Sequence, residues 1–247
     1  MINPKTLLKL PSNFKNICKI YPPSVNQIIE EDKFSIYQKM LTISQEEIED
    51  EYVEEGRDLK ELLNPFEYIL NNAYNNKTFE ALLREAFDFF IKEPVYFFYE
   101  QKIIVIGDIE KELKNIKSVE QLRILKEDDY FDFQNLVRLA LGNEQVSRPD
   151  PTEDPRVKRI KAKARYRDKI KAKQGKGLQL SSTLISICCM NVGLNLLNIG
   201  EISYASLQPL IRYYQEKEKY EIDIDSLLAG ADKKKIKPKY WVRNIDE

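Results

Sequence analysis

The residues best suited to binding chemistry lie in one stretch, residues 154–177, DPRVKRIKAKARYRDKIKAKQGKG. Its basic residues are Arg156, Lys158, Arg159, Lys161, Lys163, Arg165, Arg167, Lys169, Lys171, Lys173 and Lys176. Between Arg156 and Gly177 only Asp168 opposes them, so this segment carries a charge of +10 in a chain whose net charge is −1. Ammonium and guanidinium groups at this density bind phosphate backbones or acidic protein surfaces. The stretch is therefore either an arm that binds nucleic acid or a charged tether that connects two functional parts of the chain.

An acidic stretch of opposite charge lies upstream, in residues 44–61. It holds nine acids against Arg57 and Lys60. Oppositely charged blocks can pair within one molecule or between copies, which would give a homo-oligomer. The spacing lacks the glycine and terminal glutamate of an EF-hand loop, so no metal site is predicted. The acids are expected to form a solvated face of a flexible run.

The spacing of Val157, Ile160 and Ala164 predicts a helix at the start of the basic stretch, with an apolar stripe that fades after Ala164. A helix that is polar all round is exposed or binds an anionic partner. Binding to nucleic acid would be independent of sequence and sensitive to salt, with Tyr166 as the one aromatic side chain available for stacking. The ten cations from Arg156 to Lys173 are candidate partner-binding residues, and docking on a protein is favoured over recognition of nucleic acid.

The composition argues against an enzyme. The chain contains no histidine, which removes the commonest general base and metal ligand. Cys188 and Cys189 lie in an apolar run, LISICCM, and are expected to pack in a core, as is typical of free cysteine. Gly175-Lys176-Gly177 lacks the context of a phosphate-binding loop. No catalytic, cofactor or metal residue is predicted. No signal peptide or membrane span is expected either, and cysteine usage fits the cytoplasm.

The elements that position these residues are predicted to be mostly α-helical. Ser24 and Asn64 are predicted N-caps, the latter with Pro65 at the first helical position. Further helices are predicted from Phe34, from Thr78 to about Ile91, from about Ser118 to Lys126 and from Asp132 to Leu141. The β-branched and aromatic run near 94–106 predicts a small β-hairpin.

Three regions are predicted along the chain. Residues 1–145 form a helical N-terminal domain that contains the hairpin. Residues 146–177 form a proline-bearing, basic linker or arm, because Pro149, Pro151 and Pro155 lie among polar residues that cannot form a core. Residues 178–247 form a small helical C-terminal domain.

The C-terminal region is predicted to contain three helices. Apolar spacing indicates a short buried helix around 184–188, a longer one from about 207 to 214 with Ser206 as its N-cap, and a third around 222–228. The candidate partner-binding aromatics of this region are Tyr213, Tyr214, Tyr240 and Trp241. Exposed aromatic side chains often anchor protein interfaces.

The C-terminal sequence resembles that of proteins from tailed bacteriophages and prophages of Gram-positive hosts. The resemblance lies in SSTLISICC and in the later stretch NIGEISYASLQPLIRYYQEKEKYEIDIDSLLAGADKKKIKPKYWVRN. The layout of the chain also resembles that of phage tail assembly chaperones. The resemblance implies a non-catalytic protein in the host cytoplasm, or in the virion, that binds the tape-measure and tail-tube proteins during assembly. A structural virion component or a nucleic-acid-binding protein that uses residues 156–176 is the alternative. On this interpretation the basic stretch is a charged tether that doubles as a docking surface.

Overall fold

A computed structural model describes residues 4–58, 61–108, 122–148, 153–154, 156–158, 160–165, 180–190, 193–232 and 236–240. The predicted fold class is confirmed, because the structure is mostly α. In chain order the first elements are α1 (Pro4–Leu7), β1 (Ser12–Phe14), β2 (Cys18–Ile20), α2 (Val25–Glu30), α3 (Phe34–Thr42), α4 (Gln45–Glu54), α5 (Pro65–Asn75) and α6 (Lys77–Ile91). They are followed by β3 (Val95–Phe98), β4 (Ile103–Ile106), β5 (Ile124–Leu125), α7 (Glu127–Ala140), α8 (Leu180–Cys189) and α9 (Leu207–Leu228).

Side-chain caps fix where several helices begin. The Ser24 hydroxyl accepts a hydrogen bond from the Gln27 backbone N–H, and the Gln27 side chain accepts one from the Ser24 backbone N–H. The Asn64 side chain accepts from the Glu67 backbone N–H, with Pro65 at the first helical position of α5. Each cap satisfies a donor that the first helical turn leaves open. Both predicted caps are confirmed.

The main core lies where α3, α5, α6 and α7 pack together. Its largest fully buried side chains include Phe66, Phe87, Tyr130 and Phe133. The Phe87 and Phe133 rings stack with their centroids 5.6 Å apart, and the Tyr130 and Phe133 rings stack at 5.9 Å. These aromatic residues follow the helical spacing of their sequences, so burial of one face of each helix accounts for the core.

The predicted hairpin is confirmed as β3 and β4, which pair antiparallel with Val95 opposite Ile106. A third strand, β5, pairs with β4 and places Ile124 opposite Val105. The prediction of a helix from Ser118 to Lys126 is therefore wrong for residues 122–126, the part of that range that the structure describes. The helix predicted to begin at Asp132 begins at Glu127, because the acids at 127–129 are favourable in a first helical turn.

The C-terminal region contains one long helix where two were predicted. α9 runs unbroken from Leu207 to Leu228, since its central residues are good helix formers and Lys217 pairs with Glu221 one turn on. Ser206 is the N-cap residue as predicted, although its side chain makes no capping hydrogen bond. The predicted short helix is α8. The expectation that both adjacent cysteines pack in a core is wrong for Cys189, which is exposed.

The C-terminal region packs on the beginning of the chain. The Val25 backbone N–H donates to the Ile202 carbonyl at 3.1 Å, and the Tyr204 N–H donates to the Pro23 carbonyl at 3.0 Å. A second apolar cluster is shared by the two regions, and its buried members are Val25, Ile187, Ile199 and Leu207. The proposed division at residues 145 and 177 stays a prediction.

Candidate functional site: the basic helical segment and its acidic seat

The acidic stretch is an ordered helix whose carboxylates have separate partners. Ser44 and Glu47 form a reciprocal capping box at the start of α4, and Ile48 lies in the core. Glu51 accepts hydrogen bonds from the Lys39 ammonium at 2.9 Å and the Tyr68 hydroxyl at 2.6 Å. The prediction of a flexible, solvated acidic run is therefore wrong for α4.

Glu49 and Asp50 form a binding site for the basic stretch that the sequence analysis did not predict. Their side chains are only 6% and 3% exposed. Carboxylates are almost never buried so far without a cation as partner. The partner comes from the basic stretch, more than a hundred positions later in the chain.

Residues 156–158 and 160–165 are helical and are here called the basic helical segment. The Arg165 Nε lies 3.0 Å from an Asp50 carboxylate oxygen, and its Nη2 lies 3.1 Å from a Glu49 carboxylate oxygen. The same guanidinium lies 3.8 Å from the Glu46 carboxylate, and the Lys158 ammonium lies 3.8 Å from Glu49. We call these five residues the ion-pair cluster.

The spacing of the basic helical segment explains why these two cations reach α4. Lys158, Ala162 and Arg165 are separated by four and three positions, which places them on one helix face. Ala162 is buried between the two cations, so the segments approach closely there. This face is docked on α4.

Arg165 holds its charge firmly in this position. Burial by itself lowers the pKa of its guanidinium, but the hydrogen bond and charge of Asp50, with further contributions from Glu46 and Glu49, raise the pKa above its ordinary value. A guanidinium presents a planar fork of donors that suits two carboxylates at once. The ion-pair cluster therefore holds the basic helical segment against α4.

The other predicted partner-binding cations have different surroundings. Arg156, Lys161 and Lys163 are exposed, and Lys161 is paired with Glu153. Arg159, Arg167, Lys169, Lys171 and Lys173 lie outside the described residues. The basic stretch thus has a docked face and an exposed face where it is described.

The predicted aromatic residues that the structure describes lie on or against α9. Tyr213 is exposed and Tyr214 is half-buried on that helix. Tyr240 is 60% exposed, and its ring meets the Tyr220 ring edge-on at 5.7 Å. Trp241 lies outside the described residues.

Exposed leucines from two segments of the chain lie near the N-terminal end of α9, and we call them together the leucine patch. Its members are Leu8, Leu10, Leu196 and Leu197. Leu197 is 95% exposed, Leu196 73% and Leu8 69%. The Lys9 ammonium lies 3.9 Å from the Glu201 carboxylate, so the two leucine pairs belong to neighbouring segments. Adjacent leucines between Asn195 and Asn198 are the sequence signal that could have revealed this surface.

The loop that presents Leu196 and Leu197 is held by asparagine side chains. The Asn198 carboxamide oxygen accepts from the Asn195 backbone N–H at 2.8 Å, and the Asn195 side chain accepts from the Leu197 N–H at 2.9 Å. Such local bonds favour turns over helix. The two leucines are therefore exposed by a defined turn.

Residues 170–246 match the family model described as the YomV second domain, which covers about the last third of the chain. This segment is similar to a domain of a phage protein family. The name of the family derives from a Bacillus phage, which supports a phage protein. No curated protein and no solved structure matches the chain. None of the described helices is both long enough and apolar enough to cross a membrane.

Proposed function

We propose that the chain is a non-catalytic phage morphogenesis protein that acts as a tail assembly chaperone and binds the tape-measure and tail-tube proteins in the host cytoplasm. The observation that carries the proposal is the leucine patch. Exposed leucines cost free energy in water, and groups of them mark surfaces that another protein covers. The match of residues 170–246 to a phage-derived domain supports the phage setting.

The leucine patch suits an apolar helix, such as those of a long coiled-coil tape measure. A helix presents its apolar residues as a stripe, and a groove or patch lined by leucines is its usual complement. Tyr213, farther along α9, extends the available surface with an exposed aromatic ring. Aromatic side chains are over-represented among residues that dominate binding energy.

The proposal is tested by co-expressing the chain with the tape-measure and tail-tube proteins of the same phage. Leu196→Ser combined with Leu197→Ser should abolish co-purification. Leu228→Ser is the matched control, because Leu228 is 81% exposed and lies at the far end of α9. A 22-residue helix is about 33 Å long, so the control lies well away from the patch. Co-purification that survives the double substitution would reject the patch as the binding surface, and no co-purification of the unaltered chain would reject the chaperone role.

A second candidate function, binding of nucleic acid or of packaged genome in the virion, is favoured by the exposed face of the basic helical segment. Arg156, Lys161 and Lys163 present cations to solvent there. Binding through phosphates would weaken steeply as salt rises. Binding of generic DNA that disappears when the cations between 156 and 173 are neutralised, with no tail protein recovered, would favour this candidate.

Pairing of acidic and basic segments between copies is the third proposed interaction. In the structure, Glu49 and Asp50 are occupied by Arg165 of the same chain. A homo-oligomer formed through these segments would require one copy to exchange its basic helical segment with another. Light scattering at low and high salt tests this exchange.

A further inference from the structure

A cleft of about 270 Å³ lies where the N-terminal ends of α4 and α5 meet one face of α7. The fourth wall is the segment 146–148, which is held in place by Asn135. The Asn135 side chain accepts from the Val146 backbone N–H at 3.0 Å and donates to the Val146 carbonyl at 3.1 Å. The cleft is therefore built from four separate parts of the chain.

Arg138 brings a positive charge into this cleft. Its guanidinium is half-buried and donates one hydrogen bond to the Thr42 carbonyl. No carboxylate in the described part of the chain forms an ion pair with it. Burial lowers the pKa of Arg138, while Glu47 and Tyr130 offset part of that change. Arginine stays charged in proteins, so a partly buried guanidinium with spare donors favours an anionic ligand.

Tyr130 provides a second and independent unsatisfied group. It lines the cleft, is 1% exposed, and its hydroxyl makes no hydrogen bond within the described residues. The nearby Gln134 amide donates to the Ile43 carbonyl at 2.9 Å instead. Burial raises the pKa of Tyr130, and the influences of Gln134 and Arg138 lower it only in part, so the hydroxyl remains a neutral donor. Buried polar groups without partners are rare and call for an explanation.

The remaining walls restrict what the anion can be. Pro65, Phe66 and Phe131 supply apolar and aromatic surface. The carboxylates of Glu127 and Asp128 also line the cleft, with Glu127 accepting from the Asn64 side chain at 2.8 Å. Negative charges at this position repel a polyanion but leave room for one compact anion beside Arg138.

Glu46 connects the cleft to the ion-pair cluster. It lines the cleft, and its carboxylate lies 3.8 Å from the Arg165 guanidinium, which partly neutralises its negative charge. Arg148 also lines the cleft, and its guanidinium lies 3.2 Å from Asp132 and 5.3 Å from the Phe131 ring centroid. The cleft thus combines apolar side chains with Arg138, which forms no ion pair with any carboxylate in the described part of the chain.

We propose that this cleft binds one carboxylate carried beside an apolar or aromatic group, presented by an exposed segment of a partner protein. Arg138 would pair with the carboxylate, the Tyr130 hydroxyl would donate to it, and Phe66 with Phe131 would cover the apolar group. Arginine with carboxylate is among the stronger pairs that proteins form, and partial burial strengthens it further. This proposal is independent of the tail-assembly role.

The test uses 3-phenylpropanoate and its amide, which have nearly the same shape but differ in charge, as probes in ligand-observed NMR titrations of the full chain. The acid should bind at least about tenfold more tightly than the amide, because charged hydrogen bonds contribute about 1.5–3 kcal/mol. Arg138→Gln should remove this preference. Arg156→Gln is the matched control, since Arg156 is exposed and does not line the cleft, and it should leave binding unchanged.

Tyr130→Phe keeps the proposal testable if Arg138→Gln fails to fold. This substitution removes only the hydroxyl oxygen and should weaken the acid severalfold with little effect on the amide. A blocked dipeptide, N-acetyl-Asp-Phe-amide, identifies the source of the carboxylate. Tighter binding of the dipeptide than of 3-phenylpropanoate supports a protein segment, and the reverse order overturns that part of the proposal. Equal binding of acid and amide, binding of neither, or preferential binding of inorganic phosphate overturns the site itself.

Discussion

Arg165 and Asp50 form the contact that joins the basic and acidic parts of this chain, with the guanidinium Nε 3.0 Å from the carboxylate oxygen. The Asp50 side chain is 3% exposed, whereas that of Arg165 is 24% exposed. The acid is therefore the buried partner and the arginine is the group that covers it.

Arg165→Ala should lower the free energy of unfolding by about 1–3 kcal/mol, because it leaves buried carboxylates without their cation. Urea denaturation followed by circular dichroism measures this change. Lys163→Ala, on the exposed face of the same segment, is the control and should change stability by no more than about 0.5 kcal/mol. Equal effects of the two substitutions would show that the ion-pair cluster contributes nothing specific.

Gly142→Ala should destabilise the protein more than Gly56→Ala. Both glycines have left-handed backbone angles, with φ of +75° and +72°, so the conformational cost of a side chain is similar. A Cβ at 142 would lie 2.9 Å from the Ala205 Cα, whereas nothing lies within 4 Å of a Cβ at 56. The difference between the two urea midpoints isolates this clash. Equal urea midpoints for the two variants would mean that the end of α7 and the 204–206 turn move apart at little cost in free energy.

The stability that Glu80 contributes should be lost in acid. Hydrogen bonds from Lys77 and Arg84, both at 2.8 Å, lower the pKa of Glu80 from 4.5 to about 2. Since the folded pKa lies below the unfolded one, the contribution is complete above pH 4.5 and disappears as the pH falls towards 2.

Comparison of the unaltered chain with Glu80→Gln at about pH 6 and about pH 3 measures this effect. The substitution should cost about 1 kcal/mol or less at the higher pH, as is usual for partly exposed pairs, and less still at the lower pH. Glu218→Gln, on an exposed part of α9, is the control. A cost for Glu80→Gln that does not change with pH contradicts the prediction.

The three cysteines should differ in their reaction with a thiol reagent such as Ellman's reagent. Burial, with a smaller contribution from Glu93, raises the pKa of the Cys18 thiol to about 12, so almost no thiolate forms at neutral pH. Cys189 is exposed and should react first. Cys189→Ser should remove the fast phase, and Cys18 should react only after unfolding in urea. Rapid reaction of Cys18 in the folded protein would contradict its burial.

Local signals in the sequence predicted the beginnings of helices and the hairpin well. The caps at Ser24 and Asn64 depend on residues three positions away, so a short stretch of sequence contains the whole interaction. The hairpin β3–β4 likewise depends on one run of β-branched and aromatic residues and its turn. In each case the determining residues are close in sequence.

Interactions between distant residues could not be predicted in the same way. β5 is two residues long and is defined by its pairing with β4. The burial of Glu49 depends on Arg165, and the acidic composition of α4 alone indicates a solvated helix. The cleft at Arg138 requires the beginnings of α4 and α5, one face of α7 and the segment 146–148 to converge. Sequence periodicity carries no information on which helix ends meet.

The pairing of Pro23 and Val25 with Ile202 and Tyr204 has a consequence for biosynthesis. Val25 leaves the ribosome roughly 180 residues before Leu207, and chain growth at about 5–20 residues per second leaves an interval of about 10–40 s between them. During that interval the main core can form while the surface around Val25 remains uncovered. The last part of the chain then completes the second apolar cluster, so a nascent protein that stops before α9 exposes Val25 as a surface that molecular chaperones can bind.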